Sequence, residues 1–365
     1  MIPLDLLPGL GSTKSLSFAA FLEEEFSMKR YTKVGNLDEK QIVILNKKLN
    51  PSLNEYVPVF VNLIRHHWPL DDYDVLTQPK MTIGWILPVN MFTPRSYGQR
   101  TLKGGLRYFV PGSIDSFKRK ERKGGHLSNP PSLLDYLADG ELGGDDVEAH
   151  TVAQINLCVA AIQSMASTVT QCLMDLATYP QYLPELREEI TSMLSQKNGV
   201  LDRQSLADMM KLDSFIKETQ RLNPPDLASF QRKVMSDITL ANGLRIPKGA
   251  RIALPTGAIN MDSQFFEDPE TFDGFRYYRL RMESEEARKS SQMVTVGKKD
   301  LTWGYGRHAC PGRYIAEVAM KLLIIEYIVR YDISLPDGIK ERPKNIEFEG
   351  LVIPDPNWEL VFQSR

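Results

Sequence analysis

Apolar residues recur at helical spacing over two early stretches, 18–30 (FAAFLEEEFSMKR) and 39–65 (EKQIVILNKKLNPSLNEYVPVFVNLIR), and the second is interrupted by Pro51 and Pro58. Residues 69–110, with Pro69, Pro79, Pro88, Pro94 and paired Gly104 and Gly105, have no period and read as irregular. A long helix is expected over 145–179, stopped by Pro180, followed by a helix in PELREEITSMLSQ. QSLADMMKLDSFIKETQRL, 204–222, predicts one more helix, closed by Asn223, Pro224 and Pro225. The period then shortens: VMSDITLANGLRIPKGARIALP alternates apolar and polar residues between turn formers, which predicts short antiparallel strands. A last helix is expected over 313–330, and NIEFEGLVIPDPNWELVFQ reads as two short strands.

The expected fold class is mainly α with small antiparallel β-sheets, in a single domain over 1–365. It divides into a helix-rich part (15–225), a strand-rich part (226–300), a loop and helix around Cys310 (301–330) and C-terminal strands (331–365). Apolar residues make up 42% of the 365 positions, enough for a buried core and too many for a disordered chain. Formal charge is −2, so no global field favours nucleic acid or an anionic membrane. The run KRKERK at 118–123 could serve as a nuclear-localisation or nucleic-acid patch, but it reads better as a solvated loop, and no nucleic-acid partner is expected. The N-terminus has no basic segment before an apolar core, so neither signal peptide nor anchor is visible. The uncharged stretch 151–174 carries too many Thr, Gln, Ser and Asn residues for lipid.

Three cysteines, Cys158, Cys172 and Cys310, are too few and too far apart for a disulfide scaffold. Five scattered histidines offer no zinc spacing, and GLGSTK at 9–14 lacks the spacing of a phosphate loop. The densest chemical signal is WGYGRHACPGR, 303–313, at the entrance to the last helix. Pro311 suits a first helical turn, and helix N-terminal amides would lower the pKa of the Cys310 thiol. Gly304, Gly306 and Gly312 clear side chains from around the sulfur, which would let a flat cofactor approach. A buried, inert cysteine beside a glycine-rich turn is the competing reading. Glu218 and Arg221, three apart, share a helix face, and Arg276 follows in PETFDGFR.

In their order, ExxR, then PxxFxxxR, then WxxGxxxCxGR, these residues resemble the cytochrome P-450 family of haem-thiolate monooxygenases. LDSFIKETQRLNP, DITLANGLRIPKGARIALPTGAINMDSQFFEDPETFDGFR and SFAAFLEEEFSMKRYTKVGN are similar to its fungal secondary-metabolism branch. The likeness runs from about residue 16 to the end. It implies haem b as cofactor, with Cys310 as axial ligand to the iron and Glu218, Arg221 and Arg276 as a buried network holding the cysteine loop. His308 and Arg232 match positions that pair with haem propionates. Trp303 stands where the family usually has phenylalanine.

The same resemblance matches Ala160, Ala161, Ile162, Gln163, Ser164 and Met165 to the helix that crosses the distal face of the haem. Ala160 and Ala161 would leave room for dioxygen and substrate. Gln163 and Ser164 replace the family's acid (or histidine) and threonine; serine keeps a hydroxyl, whereas glutamine orients water but is no general acid. Gln163 could equally bond only to neighbouring helices. Lys298, Lys299, Arg307, Arg313 and Lys321 surround the cysteine loop in sequence and would suit an acidic flavoprotein reductase relaying electrons from NADPH, although solvated lysines explain Lys298 and Lys299 as simply. The family's anchor, first helices and first strands have no counterpart here, so the chain reads as N-terminally truncated. Its location would be the endoplasmic reticulum by resemblance, with no anchor visible.

The expected activity is therefore insertion of one oxygen atom from O2 into an apolar terpenoid or polyketide-type small molecule. The alternatives are a haem-binding remnant without turnover, and a peroxide-driven oxidation or rearrangement.

Overall fold

Where apolar spacing is strong, helices form at the expected places. A computed structural model of the chain describes residues 4–11, 13–26, 39–66, 80–82, 135–136, 147–348 and 350–365. The basic run at 118–123 and, apart from Lys80–Thr82, the irregular stretch 69–110 lie outside them. Short helix α1 (Leu7–Leu10) leads through strand β1 (Leu16–Ser17) into α2 (Phe18–Phe26). Helix α3 (Glu39–Ile44) loosens into a π-helical turn (Leu45–Leu49) before Pro51, and α4 (Leu53–His66) follows. Pro58 does not interrupt α4 as expected; it sits inside the helix, which forgoes one backbone hydrogen bond there and continues.

Helix α5 (Val147–Thr178) is the longest, and Pro180 lies just beyond its end, as expected. By length and apolar composition, its 150–178 stretch could cross a membrane. Every residue from 167 to 177 is nevertheless buried in the protein, so this half is a core helix. Leu173, Met174 and Leu176 have no exposed surface, and each such side chain contributes about 1.5–3 kcal/mol on burial. Helix α6 (Leu183–Gln196) follows and adds Leu183, Leu186 and Ile190 to the same core.

The single helix expected over 204–222 is two: α7 (Arg203–Asp208), capped by Asp202 in a reciprocal box with Ser205, and α8 (Met210–Leu222). Met209 breaks them apart, with ψ 75°. All ten residues from 212 to 221 are buried, so the charged members of α8 face protein on every side.

Strands β3 (Ser229–Val234), β4 (Ile238–Thr239), β5 (Arg245–Ile246) and β6 (Arg251–Leu254) form where alternation predicted them. The strand-rich stretch ends at Leu254 rather than near 300. Helices α9 (Thr256–Asn260), α10 (Arg276–Glu283) and α11 (Glu285–Ser290) occupy the rest. After α12 (Arg313–Arg330) come β7 (Tyr331–Ser334) and then, in the stretch expected to hold two strands, three: β8 (Asn345–Phe348), β9 (Leu351–Pro354) and β10 (Glu359–Ser364).

With β2 (Lys80–Thr82), the described strands make four small antiparallel sheets, ordered β1-β3-β6, β2-β10-β7, β4-β5 and β8-β9. The architecture is mainly helical. The main core joins α5, α6, α8 and α12. A second apolar cluster lies between α1 and the β1-β3-β6 sheet, and a third joins α3 and α4 to Tyr136. The cysteine loop touches all three: Trp303 packs on the main core, Leu301 and Tyr305 on the second and Ile315 on the third.

Candidate functional site

The loop from Trp303 to Gly312 depends on glycine at two positions. Gly304 and Gly306 have φ of 77° and 67°, in the left-handed region. At Gly306 a Cβ would stand 2.6 Å from the carbonyl oxygen of Gly11, because the end of α1 lies directly against the loop. The Arg307 N–H donates to that same carbonyl at 3.3 Å.

Cys310 is half-buried, and its N–H donates to the Trp303 carbonyl at 2.7 Å. Helix α12 starts at Arg313 with Gly312 as its cap, so Pro311 precedes the cap instead of occupying the first turn. Arg313 turns back to donate to the Cys310 carbonyl at 2.8 Å, and Asn50 donates to the Pro311 carbonyl at 2.9 Å. The expected lowering of the thiol pKa is not the net result. Burial pushes the Cys310 thiol up, outweighing the backbone N–H groups of Gly312 and Arg313 and the Arg313 charge, all of which pull it down.

Glu218, Arg221 and Arg276 come together in one bonded cluster. Glu218, fully buried, takes two bonds from Arg221, Nε to Oε2 at 2.9 Å and Nη2 to Oε1 at 2.8 Å, and a third from Arg276 Nε at 3.2 Å. Arg221 also donates to the carbonyls of Asn260 at 2.7 Å and Pro269 at 2.6 Å, and Arg276 to those of Glu267 and Thr271. These bonds clamp the 260–276 segment, not the cysteine loop itself.

A second buried set, absent from any sequence motif, reaches that loop. One turn earlier on α8, Asp213 takes an ion pair from Lys321 of α12 at 2.6 Å and another from Arg281, and accepts the Met293 N–H at 2.9 Å. The Met293 carbonyl in turn accepts the Trp303 indole N–H at 2.7 Å. Lys217 braces the same segment, bonding Asp300 at 2.9 Å and the Gln292 carbonyl at 3.0 Å. Burial lowers the pKa of Lys217 despite Asp300, whereas Asp213 and Glu317 outweigh burial and raise that of Lys321.

Lys321 therefore does not join a basic surface, contrary to the sequence expectation: its side chain has no exposed surface and points into the core. Arg313 is likewise turned inward onto the Cys310 carbonyl and the Tyr314 hydroxyl. Lys298, Lys299 and Arg307 are the members of that cluster left exposed.

Arg232 on β3 is buried, with its guanidinium over the rings of Phe230, at 4.5 Å, and Phe18, at 5.1 Å. No carboxylate pairs with it among the described residues. Burial first, then the nearby charge of Arg307, pulls its pKa down to about 10. A desolvated guanidinium beside a second cation calls for an anion. Exposed His308 lies next to Arg307, with its Nε2 3.3 Å from the Arg307 guanidinium.

On α5, Ala160, Ile162 and Ser164 are exposed, and Ala161 and Gln163 are half-buried. The Ser164 hydroxyl lies 3.1 Å from the Ala160 carbonyl and 3.3 Å from that of Ala161, so it donates into its own helix. The Gln163 carbonyl oxygen is buried and accepts no hydrogen bond from the described residues. Bonding to a neighbouring helix, the simpler reading of Gln163, is therefore not seen at that atom.

These residues fit a flat, dianionic, iron-bearing cofactor: one sulfur donor at a loop cleared of side chains, and a buried arginine awaiting a negative charge. A side chain at Gly312 would stand 4.0 Å from the Cys310 sulfur. Sequence reasoning missed Asn50, Asp213, Lys217 and Arg281. The signal that could have found Asp213 is a charged residue in a helix whose every face is buried.

Comparison with known proteins agrees. The model of the cytochrome P450 family matches residues 74–362. The cytochrome P450 monooxygenase BOA4 of Botryotinia fuckeliana is 35% identical over 252 residues, 68% of this chain and 50% of its own length. Cytochrome P450 monooxygenase AN1598 of Emericella nidulans is 33% identical over 286 residues, 77% of this chain and 53% of its own. The ent-kaurene oxidase P450-4 of Gibberella fujikuroi is 37% identical over 238 residues, covering 64% and 47%. The chain thus spans about half the length of the curated relatives it matches. Among solved structures, the cytochrome P450DA heme domain has the same fold, with a TM-score of 0.67 at 13% identity over 100% of this chain and 85% of that one.

Proposed function

The chain belongs to the cytochrome P450 family, and on that premise we propose that it is a haem-thiolate monooxygenase that inserts one oxygen atom from O2 into an apolar small molecule. The observation that carries this reading is the pairing of Cys310, held by its own N–H at the start of α12, with the carboxylate-free buried Arg232 beside Arg307. Haem b, when bound, supplies the redox chemistry that activates oxygen. Cys310 would hold it through its sulfur, and Arg232 and His308 would take its propionates in charge-assisted bonds. Trp303, Gly304 and Gly312 would shape the loop that receives it. Ala160 and Ala161, small side chains on α5, would leave room for O2 and substrate, and exposed Ile162 would offer the substrate apolar surface.

Gln163 would orient water through its unpaired carbonyl oxygen, and Ser164 would hold a proton at its hydroxyl. Glu218, Arg221 and Arg276 act as scaffold. Electrons would come from NADPH through a flavoprotein reductase, with the exposed Lys298, Lys299 and Arg307 on the docking side. Fungal relatives that include ent-kaurene oxidases support a terpenoid or polyketide-type secondary metabolite as substrate, and the family supports the endoplasmic reticulum membrane as location.

The test is the absorption spectrum of the reduced, haem-loaded chain under carbon monoxide, beside Cys310→Ser. A red-shifted Soret band that the mutant loses is expected; a band unchanged by the mutation overturns the reading.

One observation favours a second reading, haem binding without coupled turnover: the Ser164 proton is spent on the helix backbone. Ser164→Thr decides between them. A rise in product formed per NADPH shows that the relay limits an active enzyme, and absence of product in both proteins supports the second reading.

A further inference from the structure

The family resemblance makes Trp303 a departure, since phenylalanine has no N–H, and the structure shows where that extra donor goes. The indole N–H donates to the Met293 carbonyl at 2.7 Å, and the N–H of the same residue donates to Asp213 at 2.9 Å. Residue 293 is thereby held at both of its backbone polar atoms, and its own side chain is 1% exposed. From the other end, the Trp303 carbonyl receives the Cys310 N–H at 2.7 Å. Asp213 cannot drift, because Lys321, rooted on the helix that Cys310 opens, and Arg281 both grip it.

We propose that Asp213 and Trp303 are positioning residues for Cys310. A continuous line of bonds runs from the Asp213–Lys321 pair through Met293 and the two ends of Trp303 to the peptide nitrogen of the cysteine, and it fixes where the thiolate meets the iron. The proposal rests on the haem-thiolate reading above.

Three physical points support it. Each link is short and either buried or shielded, so water competes weakly for it. Asp213 has its charge balanced inside the core and spends further acceptor capacity on a loop N–H, which makes it a brace rather than a stray charge. The brace is also separate from Glu218, whose bonds go to Arg221, Arg276 and the Asp273 N–H. Two neighbouring stations on α8 therefore serve two different segments.

The test uses the full haem-loaded chain and three variants: Trp303→Phe, Asp213→Asn and the double variant. Trp303→Phe keeps an aromatic ring and removes only the donor. Three readouts are taken: the rate at which the reduced carbon monoxide complex passes from its thiolate to its neutral-thiol spectrum in mild denaturant, the haem midpoint potential, and Tm. In Trp303→Phe the conversion is expected to quicken about fivefold, the equilibrium worth of one hydrogen bond, with a shifted potential and little change in Tm. Asp213→Asn should act in the same direction, and the double variant should add nothing beyond the larger single effect.

An unchanged conversion rate and potential in Trp303→Phe overturn the proposal, as do fully additive effects in the double variant. If Asp213→Asn fails to fold, Trp303→Phe decides alone. If the unsubstituted chain gives no red-shifted band, it is the haem-thiolate reading that has failed, an outcome the variants cannot mimic.

Discussion

The buried charges of helix α8 and the amide and hydroxyl in the middle of helix α5 stand where a core helix is usually apolar, and the two sets are treated in opposite ways. On α8, Asp213, Lys217, Glu218 and Arg221 are all buried and each is bonded to at least two partners. On α5, Gln163 has no partner for its carbonyl oxygen among the described residues, and Ser164 turns its hydroxyl onto its own backbone. Saturated charges make a rigid support, because moving any one of them strands another. Unsaturated polar atoms cost stability where they stand and are ready to meet something from outside. The contrast separates the scaffold of the site from its working face without reference to any known protein.

The strongest way to break this contrast is to unbalance α8. Glu218→Gln leaves two arginines around a neutral amide, and equilibrium denaturation is expected to show a loss of about 3–5 kcal/mol. A loss under 1 kcal/mol would mean that the network is not the support described. Next comes the loop the scaffold presents. Gly306→Ala puts a methyl 2.6 Å from the Gly11 oxygen at φ 67° and should lower stability by about 1–3 kcal/mol, with haem retention falling in parallel.

The α5 side predicts the reverse sign. Gln163→Met removes the orphaned acceptor at similar volume, so Tm should hold or rise, by up to about 1 kcal/mol in stability. A clear fall would show that the amide is bonded after all.

Much of the support was legible in the chain. Glu218 and Arg221 sit one helical turn apart, and Cys310 stands where glycines give way to a helix, so spacing alone nominated them. The Asp213–Lys321 pair, Asn50 and the Gly11–Gly306 contact were not legible, because each joins distant stretches that share no local pattern. Lys321 misled for the same reason: from sequence it is one more base near the loop, and only packing shows it facing an acid. Pro58 and Met209 show tertiary context overriding local rules in both directions, one a proline carried inside a helix, the other a good helix former at a break. On α5, Gln163 and Ser164 could be nominated, but which of their atoms is satisfied depends on neighbours that no spacing encodes.

The contact between Gly11 and Gly306 also sets an order of events during synthesis. The two halves of that joint lie far apart along the chain, so the cysteine loop cannot seat on Gly11 until the much later Gly306 has been made. Leu7 and Leu10 of α1 are covered by the β1-β3-β6 sheet, so the α1 side of the joint can be in place before the loop arrives.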